Sequence, residues 1–138
     1  MTAPVEPSAP AGVQWLVIAR GAATGLILAA PAAFMNVVLA NQTPKPQAGI
    51  NISFLVVFVG FVLAGWMAGR EAPAQAAKHG ALAAVGAFVL VEAIVILGRP
   101  DRGAGAVIFG FVFIGLLAAC LGTIGASIGS RKRKGDLA

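Results

Sequence analysis

Four long apolar stretches, joined by short polar linkers, constrain the fold of this chain more than any other feature. They run approximately over residues 21–40, 50–69, 80–98 and 104–129. Each is close to the roughly 20 residues that an α-helix needs to cross a bilayer core of about 30 Å. Inside hydrocarbon, a helix satisfies its own backbone polar groups, whereas an isolated strand does not. The sequence therefore predicts an all-α integral membrane protein with four transmembrane helices.

The composition supports the same class. Of the 138 residues, 59% are hydrophobic and only 11% are charged, whereas soluble domains carry about 25% charged residues. Residues 1–12 are rich in proline and alanine and are predicted to be a disordered tail. Residues 13–130 are predicted to form the membrane domain, and residues 131–138 a basic C-terminal tail. The net charge of +5 comes mainly from cations beside apolar stretches, which indicates membrane orientation rather than binding of nucleic acid.

The distribution of cations predicts how the chain is oriented. Seven fall on one side of the predicted membrane: Arg20, Arg70, Lys78, Arg131, Lys132, Arg133 and Lys134. Three fall on the other side: Lys45, Arg99 and Arg102. Because lysine and arginine concentrate in cytoplasmic segments, both termini are predicted to be cytoplasmic. The four cations of residues 131–134 are assigned to topology and to contact with anionic lipid head groups.

Glycines recur at helical spacing within the apolar stretches. The residues predicted to form helix-packing faces are Gly21, Gly25, Gly65, Gly69, Gly115, Gly122, Gly125 and Gly129. Small residues let transmembrane helices approach closely and gain van der Waals contact. Two interpretations remain open, namely packing within the monomer and packing against another subunit.

The two halves of the chain also show a weak internal repeat. Gly21 and Gly80 stand at the start of the two halves, and Gly69 and Gly129 stand near their ends. A duplication would give two repeated helical hairpins related by an axis along the membrane normal. Chance similarity between apolar sequences is the alternative.

Two polar residues inside the predicted spans are candidates for a functional role. Asn36 is predicted to hydrogen-bond between helices or, alternatively, to line a polar path. Glu92 lies six residues before Gly98 at the outer end of the third stretch, so the outer interface, Arg99 and Arg102 are within its reach and Arg20 is not. A carboxylate inside a membrane is costly. Its role is open between local structural satisfaction, pairing with another subunit, and transport of a proton or cation.

Residues that support catalysis or metal binding are not grouped in the sequence. There is one histidine, His79, one cysteine, Cys120, and no tyrosine. We expect His79 to be solvated at the start of the third helix and Cys120 to be buried among apolar side chains. An enzyme, a cofactor and a metal site are therefore not expected.

The region between the second and third stretches carries a resemblance to a known family. Residues 65–70 read Gly-Trp-Met-Ala-Gly-Arg, and residues 79–82 read His-Gly-Ala-Leu. This resembles small four-helix prokaryotic membrane proteins of unknown function, in which G-x-x-A-G-R ends the second helix and H-G-A-L begins the third. The resemblance implies a location in the bacterial inner membrane and a four-helix fold. It implies no activity.

Two functions fit these observations. The preferred one is a noncatalytic accessory or structural subunit that packs through its glycine-rich helix faces within a larger membrane complex. Its expected partners are the lipid bilayer and other membrane proteins or a second copy of the chain. The alternative is a small proton- or cation-coupled transporter that uses Glu92. The small multidrug carriers resemble this second class, but they place their glutamate in the first helix, whereas Glu92 is in the third.

Overall fold

The computed structural model of this protein describes residues 12–99 and 103–135. Its four long helices are α1 (Trp15–Ala40), α2 (Gln47–Glu71), α3 (Ala76–Gly98) and α4 (Ala104–Gly135). A short 3₁₀-helix, Pro73–Gln75, links α2 to α3, and no strand occurs in the described ranges. All four long helices contain segments apolar enough to cross a membrane. The prediction of an all-α fold with four such helices is confirmed.

All four helices extend beyond the predicted apolar spans, and α1 and α4 extend the furthest. Helix α1 begins at Trp15 and has 26 residues, and α4 continues to Gly135 and has 32 residues. At 1.5 Å per residue these helices are about 39 Å and 48 Å long, which exceeds the hydrocarbon thickness. The basic residues 131–134, which were predicted to belong to a C-terminal tail, lie at the end of α4. Residues 1–11 of the predicted N-terminal tail and residues 136–138 of the predicted C-terminal tail lie outside the described residues.

The helices form a ring in the order α1, α2, α4, α3. Helix α1 contacts α2, α2 contacts α4, α4 contacts α3, and α3 contacts α1. Helices α2 and α3 also meet across the centre, whereas α1 and α4 make no contact within the described ranges. Although α1 and α4 both contact only α2 and α3 among the long helices, α4 is the least enclosed, with 11% of its membrane segment buried, against 33% to 39% for the other three.

The core between the helices consists mostly of alanine, glycine and two phenylalanines. Phe61 of α2 and Phe88 of α3 are almost completely buried, and their rings meet edge to face with centroids 6.3 Å apart. Around them lie fully buried alanines from all four helices, including Ala29, Ala64, Ala68, Ala83, Ala84, Ala87 and Ala118. Because these side chains are small, the backbones approach closely enough for dispersion contacts to hold the bundle together.

Candidate functional site

The contact between α2 and α4 is built on paired glycines. A Cβ atom added at Gly65 would collide with the backbone of Gly122, and one added at Gly125 would collide with the carbonyl of Val62. A shift of 60 residues along the chain relates these two contacts, because it takes Gly65 to Gly125 and Val62 to Gly122. Two repeated hairpins that pack face to face would exchange contacts in this way.

The same exchange recurs one helical turn away. A Cβ atom at Gly69 would collide with the backbone of Ala126, and one at Gly129 would collide with the carbonyl of Trp66. Since neither backbone has room to accept even a methyl group, the two helices are in direct contact over at least two turns. Larger residues at these positions would force α2 and α4 apart.

The remaining predicted glycines lie at other close contacts between helices of the ring. On α1, a Cβ atom at Gly21 would lie 2.7 Å from the carbonyl oxygen of Ala64, and one at Gly25 would lie 2.5 Å from that of Gly60. On α4, one at Gly115 would lie 3.2 Å from the ring of Phe88. All eight glycines predicted for helix packing thus lie at contacts inside this chain. These surfaces are not open to another subunit while the bundle is closed.

A buried hydrogen-bond cluster joins the C-terminal half of α1 to the N-terminal half of α2. The amide nitrogen of Asn36 donates to the carbonyl oxygen of Ile50 at 3.1 Å and to Oγ of Ser53 at 2.9 Å. The Ser53 hydroxyl in turn donates to the Ile50 carbonyl at 2.8 Å. Asn36 and Ser53 are both about 95% buried. Asn36 therefore makes the interhelical hydrogen bond that its sequence position predicts.

Beside this cluster, an internal cavity of about 60 Å³ lies between the four helices. Its polar lining consists of one residue from α1, one from α3 and one just after α3, namely Asn36, Glu92 and Arg99. Four aromatic rings form much of the rest: Phe54, Phe58, Phe61 and Phe88. Successive rings in this series have centroids 6.3 to 6.4 Å apart. The cavity thus combines a continuous aromatic wall with three polar groups.

Opposite charges line this cavity. Glu92 is only 5% exposed. Arg99 follows it by seven residues, which is about two helical turns and brings both residues to the same face. The Nε atom of Arg99 is buried and has no hydrogen-bond partner. Arg20 lies at the other end of the bundle, where it is 3.6 Å from Glu71. The expectation that Glu92 reaches toward Arg99 and not toward Arg20 agrees with this arrangement, while Arg102 lies outside the described residues.

His79 differs from its predicted position in solvent. It is 1% exposed, and its Nε2 accepts a hydrogen bond from the backbone N–H of Gln14 at 3.0 Å. Because Nε2 is the acceptor, the proton of the neutral ring is on Nδ1, which donates to the carbonyl of Gln75 at 3.1 Å. The prediction was wrong because α1 begins before its apolar span and covers the start of α3.

Cys120 also differs from its prediction, since it is exposed on α4 rather than buried. In a chain this apolar, lipid-facing and core-facing positions have the same composition. Two residues of the cavity region, Ser53 and Arg99, were not singled out as site residues from the sequence. A hydroxyl inside a span and a cation seven residues after Glu92 are the signals that point to them.

The end of the bundle that holds the chain termini carries cations on all four helices. Arg20, Lys78, Arg70 and Arg131 are exposed there, and the Arg70 guanidinium lies over the Trp66 ring at 5.0 Å from its centroid. Lys132, Arg133 and Lys134 continue α4 at the same end. This clustering agrees with the cation count that underlies the predicted orientation.

Groups of three or more potential metal ligands do not occur among residues 12–99 and 103–135. No protein-family model matches the chain. Searches of curated proteins and of solved structures give no match either. The resemblance to small prokaryotic four-helix proteins therefore stays a prediction, and the function has to be argued from the geometry of the bundle.

Proposed function

We propose that this protein is a noncatalytic accessory or structural subunit of a membrane complex and that it docks through the outward face of α4. The single observation that carries this proposal is the low enclosure of the membrane segment of α4. This segment is 11% buried, about a third of the fraction in the other helices. A helix with so little of its membrane segment buried offers a large surface for a neighbouring membrane helix.

The outward face of α4 changes in character along the helix. Its outer half presents large side chains at helical spacing, and Phe109, Phe113 and Leu116 are each more than half exposed. The first two rings stack with centroids 5.9 Å apart. Toward the other end the face carries the smaller Cys120 and Ser127, with the exposed Ile124 between them. Small residues favour close helix approach, and large ones fill the grooves beside them.

Hydroxyl groups on the C-terminal half of α4 support a helix-binding role. Thr123 Oγ1 and Ser127 Oγ each donate to a carbonyl of their own helix at 2.9 Å. Both hydroxyl hydrogens are therefore already hydrogen-bonded when the helix faces lipid. Each hydroxyl oxygen retains the capacity to accept a hydrogen bond from a partner helix. Such a face is stable when it is covered by lipid and can gain further contacts when a helix replaces the lipid.

The glycine faces support this assignment indirectly. The sequence-based interpretation placed partner contacts on those glycines, but their Cβ positions meet backbones of the same chain. Docking on the outside of an already closed bundle requires no rearrangement of these contacts. As part of the proposal, the complex lies in a bacterial inner membrane with both termini of this chain in the cytoplasm.

The transporter alternative has less support from the geometry of the cavity. Glu92 is buried in a cavity, as a carrier residue would be. Arg99 lines the same cavity, however, and a permanent cation there opposes the entry of a second cation beside Glu92. Coupled transport by Glu92 therefore stays a prediction, and the accessory role is the function that we put forward.

Photo-crosslinking in native membranes tests the docking face. A benzoylphenylalanine residue at Phe113 is expected to crosslink to a partner protein or to a second copy of the chain, identified by mass spectrometry after mild detergent extraction. The matched control places the same probe at Ile27 of α1, which is 77% exposed. The control is expected to react with lipid. If both positions react with lipid alone, the proposed role of α4 is wrong.

A further inference from the structure

We propose that the cavity around Glu92 binds the zwitterionic head group of a phospholipid, with the ammonium group inside the cavity and the phosphate at Arg99. This inference is independent of docking through α4, because the cavity lies between the helices and not on the outward face of α4. The ligand class follows from the cavity wall, the two charges and a neighbouring groove.

The cavity wall is suited to an ammonium group. Phe54, Phe58, Phe61 and Phe88 all contribute to the lining. Aromatic faces attract cations through their quadrupole, and walls of several rings are a recurrent way of binding substituted ammonium ions. Glu92 adds a carboxylate to this wall, so the same space offers an opposite charge as well as aromatic faces. The two features together favour a positive group over an uncharged apolar one.

Asn36 contributes a further acceptor. Its amide nitrogen is directed at the Ile50 carbonyl, which can only accept hydrogen bonds. The side-chain oxygen is therefore oriented away from that contact and remains available as an acceptor. Because Asn36 also lines the cavity, an ammonium ion there can donate to an amide oxygen and to a carboxylate.

Arg99 is the residue of this cavity that attracts a negative group. Its Nε is buried without a hydrogen-bond partner, and a buried donor that is left unsatisfied costs about 1–3 kcal/mol. Phosphate oxygens satisfy guanidinium donors well. Arg99 directly follows the last residue of α3, and the end of a helix that spans the hydrocarbon core is where lipid head groups begin. A phosphate at this rim would satisfy the donor without entering the hydrocarbon.

The charge pattern selects a zwitterion rather than a simple ion. Glu92 attracts a cation and Arg99 opposes it, while the reverse holds for an anion. A head group with both charges a few bonds apart meets an opposite charge at each end. A volume of about 60 Å³ is room for roughly two waters at about 30 Å³ each, which suits the short ammonium end of phosphoethanolamine and not an acyl chain.

A groove on the lipid side of the same helices favours a lipid over a free zwitterion. It holds about 460 Å³ between the outer halves of α1 and α2, and its lining includes Pro31, Met35 and Val56. Ser53 also lines this groove and hydrogen-bonds to Asn36 of the cavity. The groove and the cavity have no lining residue in common, and this hydrogen bond connects their linings. The apolar lining of the groove suits an acyl chain of the bound lipid.

Native mass spectrometry of the delipidated full chain tests this site. The probes are phosphatidylethanolamine and phosphatidylglycerol with identical acyl chains, so that only the head group differs. We expect the wild type to bind phosphatidylethanolamine about tenfold more tightly, and Glu92→Gln to abolish this preference, because a hydrogen bond to a charged group is worth that factor or more. Glu71→Gln makes the same chemical change outside the cavity and is expected to retain the preference.

Two further measurements keep the test decisive. If Glu92→Gln loses its helical circular dichroism, Phe58→Leu replaces it, and a several-fold loss of phosphatidylethanolamine binding is expected from the missing ring. Excess soluble phosphoethanolamine is expected not to displace the lipid. Equal binding of the two lipids by the wild type, an unchanged preference in the folded cavity variants, or displacement by the soluble head group would each overturn the proposal of a phospholipid site.

Discussion

Replacement of Gly125 by alanine is the sharpest perturbation of the bundle. The added methyl group would lie 2.9 Å from the backbone nitrogen of Trp66 and closer still to the carbonyl oxygen of Val62. Carbon contacts are optimal at about 3.5–4.0 Å, so α4 must move away from α2 by on the order of 1 Å. Both obstructing atoms belong to backbone, which cannot rotate aside as a side chain can.

The cost follows from the length of this contact. A gap of 0.5–1 Å removes about a quarter to a half of the energy of each dispersion contact. The same gap also separates the neighbouring glycine pairs of α2 and α4. Overpacking of this kind costs about 1–3 kcal/mol, whereas alanine gains roughly 0.5–1 kcal/mol over glycine in helix propensity. Gly125→Ala is therefore expected to destabilise the protein by about 1–2 kcal/mol.

Gly86→Ala is the matched control. An added methyl group there lies 3.7 Å from the Cβ of Ala22, which is ordinary contact. Only the propensity gain remains, so this variant is expected to be slightly more stable than the wild type. Unfolding by dodecyl sulfate in mixed micelles, followed by circular dichroism and by tryptophan fluorescence, measures both. If Gly125→Ala proves as stable as Gly86→Ala, the close α2–α4 contact is refuted.

Two other contacts give predictions that are open to direct measurement. Asn36→Leu removes both interhelical hydrogen bonds of the amide and is expected to lower the free energy of unfolding by about 1 kcal/mol in the same titration. Asn51→Leu, at an exposed position of α2, is expected to change it very little. Equal effects of the two substitutions would contradict a special role for Asn36. His79→Leu removes the acceptor of the Gln14 N–H, so hydrogen exchange at that amide is expected to accelerate. Lys78→Gln, at an exposed position, is the control. Unchanged protection of the Gln14 amide in the His79 variant would show that this bond does not hold the start of α1.

The helices could be predicted from the sequence because their cause is local. A run of about 20 apolar residues must satisfy its own backbone in lipid, whatever it packs against. Helix ends were less predictable, since α1 and α4 continue past the apolar spans into polar sequence. Gly65 and Gly125 were recognisable as packing residues from their spacing. Which backbone each one meets depends on the order of helices around the ring.

The cavity could be predicted only in part. Glu92 and Asn36 stood out because a polar group inside a span needs a partner. That they line one cavity, and that Arg99 lines it too, depends on how α1 and α3 are rotated about their axes. Apolar periodicity does not fix that rotation in a membrane protein, because lipid and core are equally apolar. Exposure of Cys120 was missed for the same reason, whereas burial of His79 was missed because α1 begins before its apolar span.

The sequence by itself determined that this chain forms four membrane-length helices with most of its cations at one end. Both properties follow from the transfer of residues between water and lipid, which depends on residue type and not on neighbours. Only the tertiary structure decided that the glycines close the bundle on itself, that α4 is left open, and that Glu92 and Arg99 line one aromatic cavity. These outcomes depend on which helix surfaces are complementary in shape, and complementarity depends on both surfaces together and not on the sequence of one helix alone.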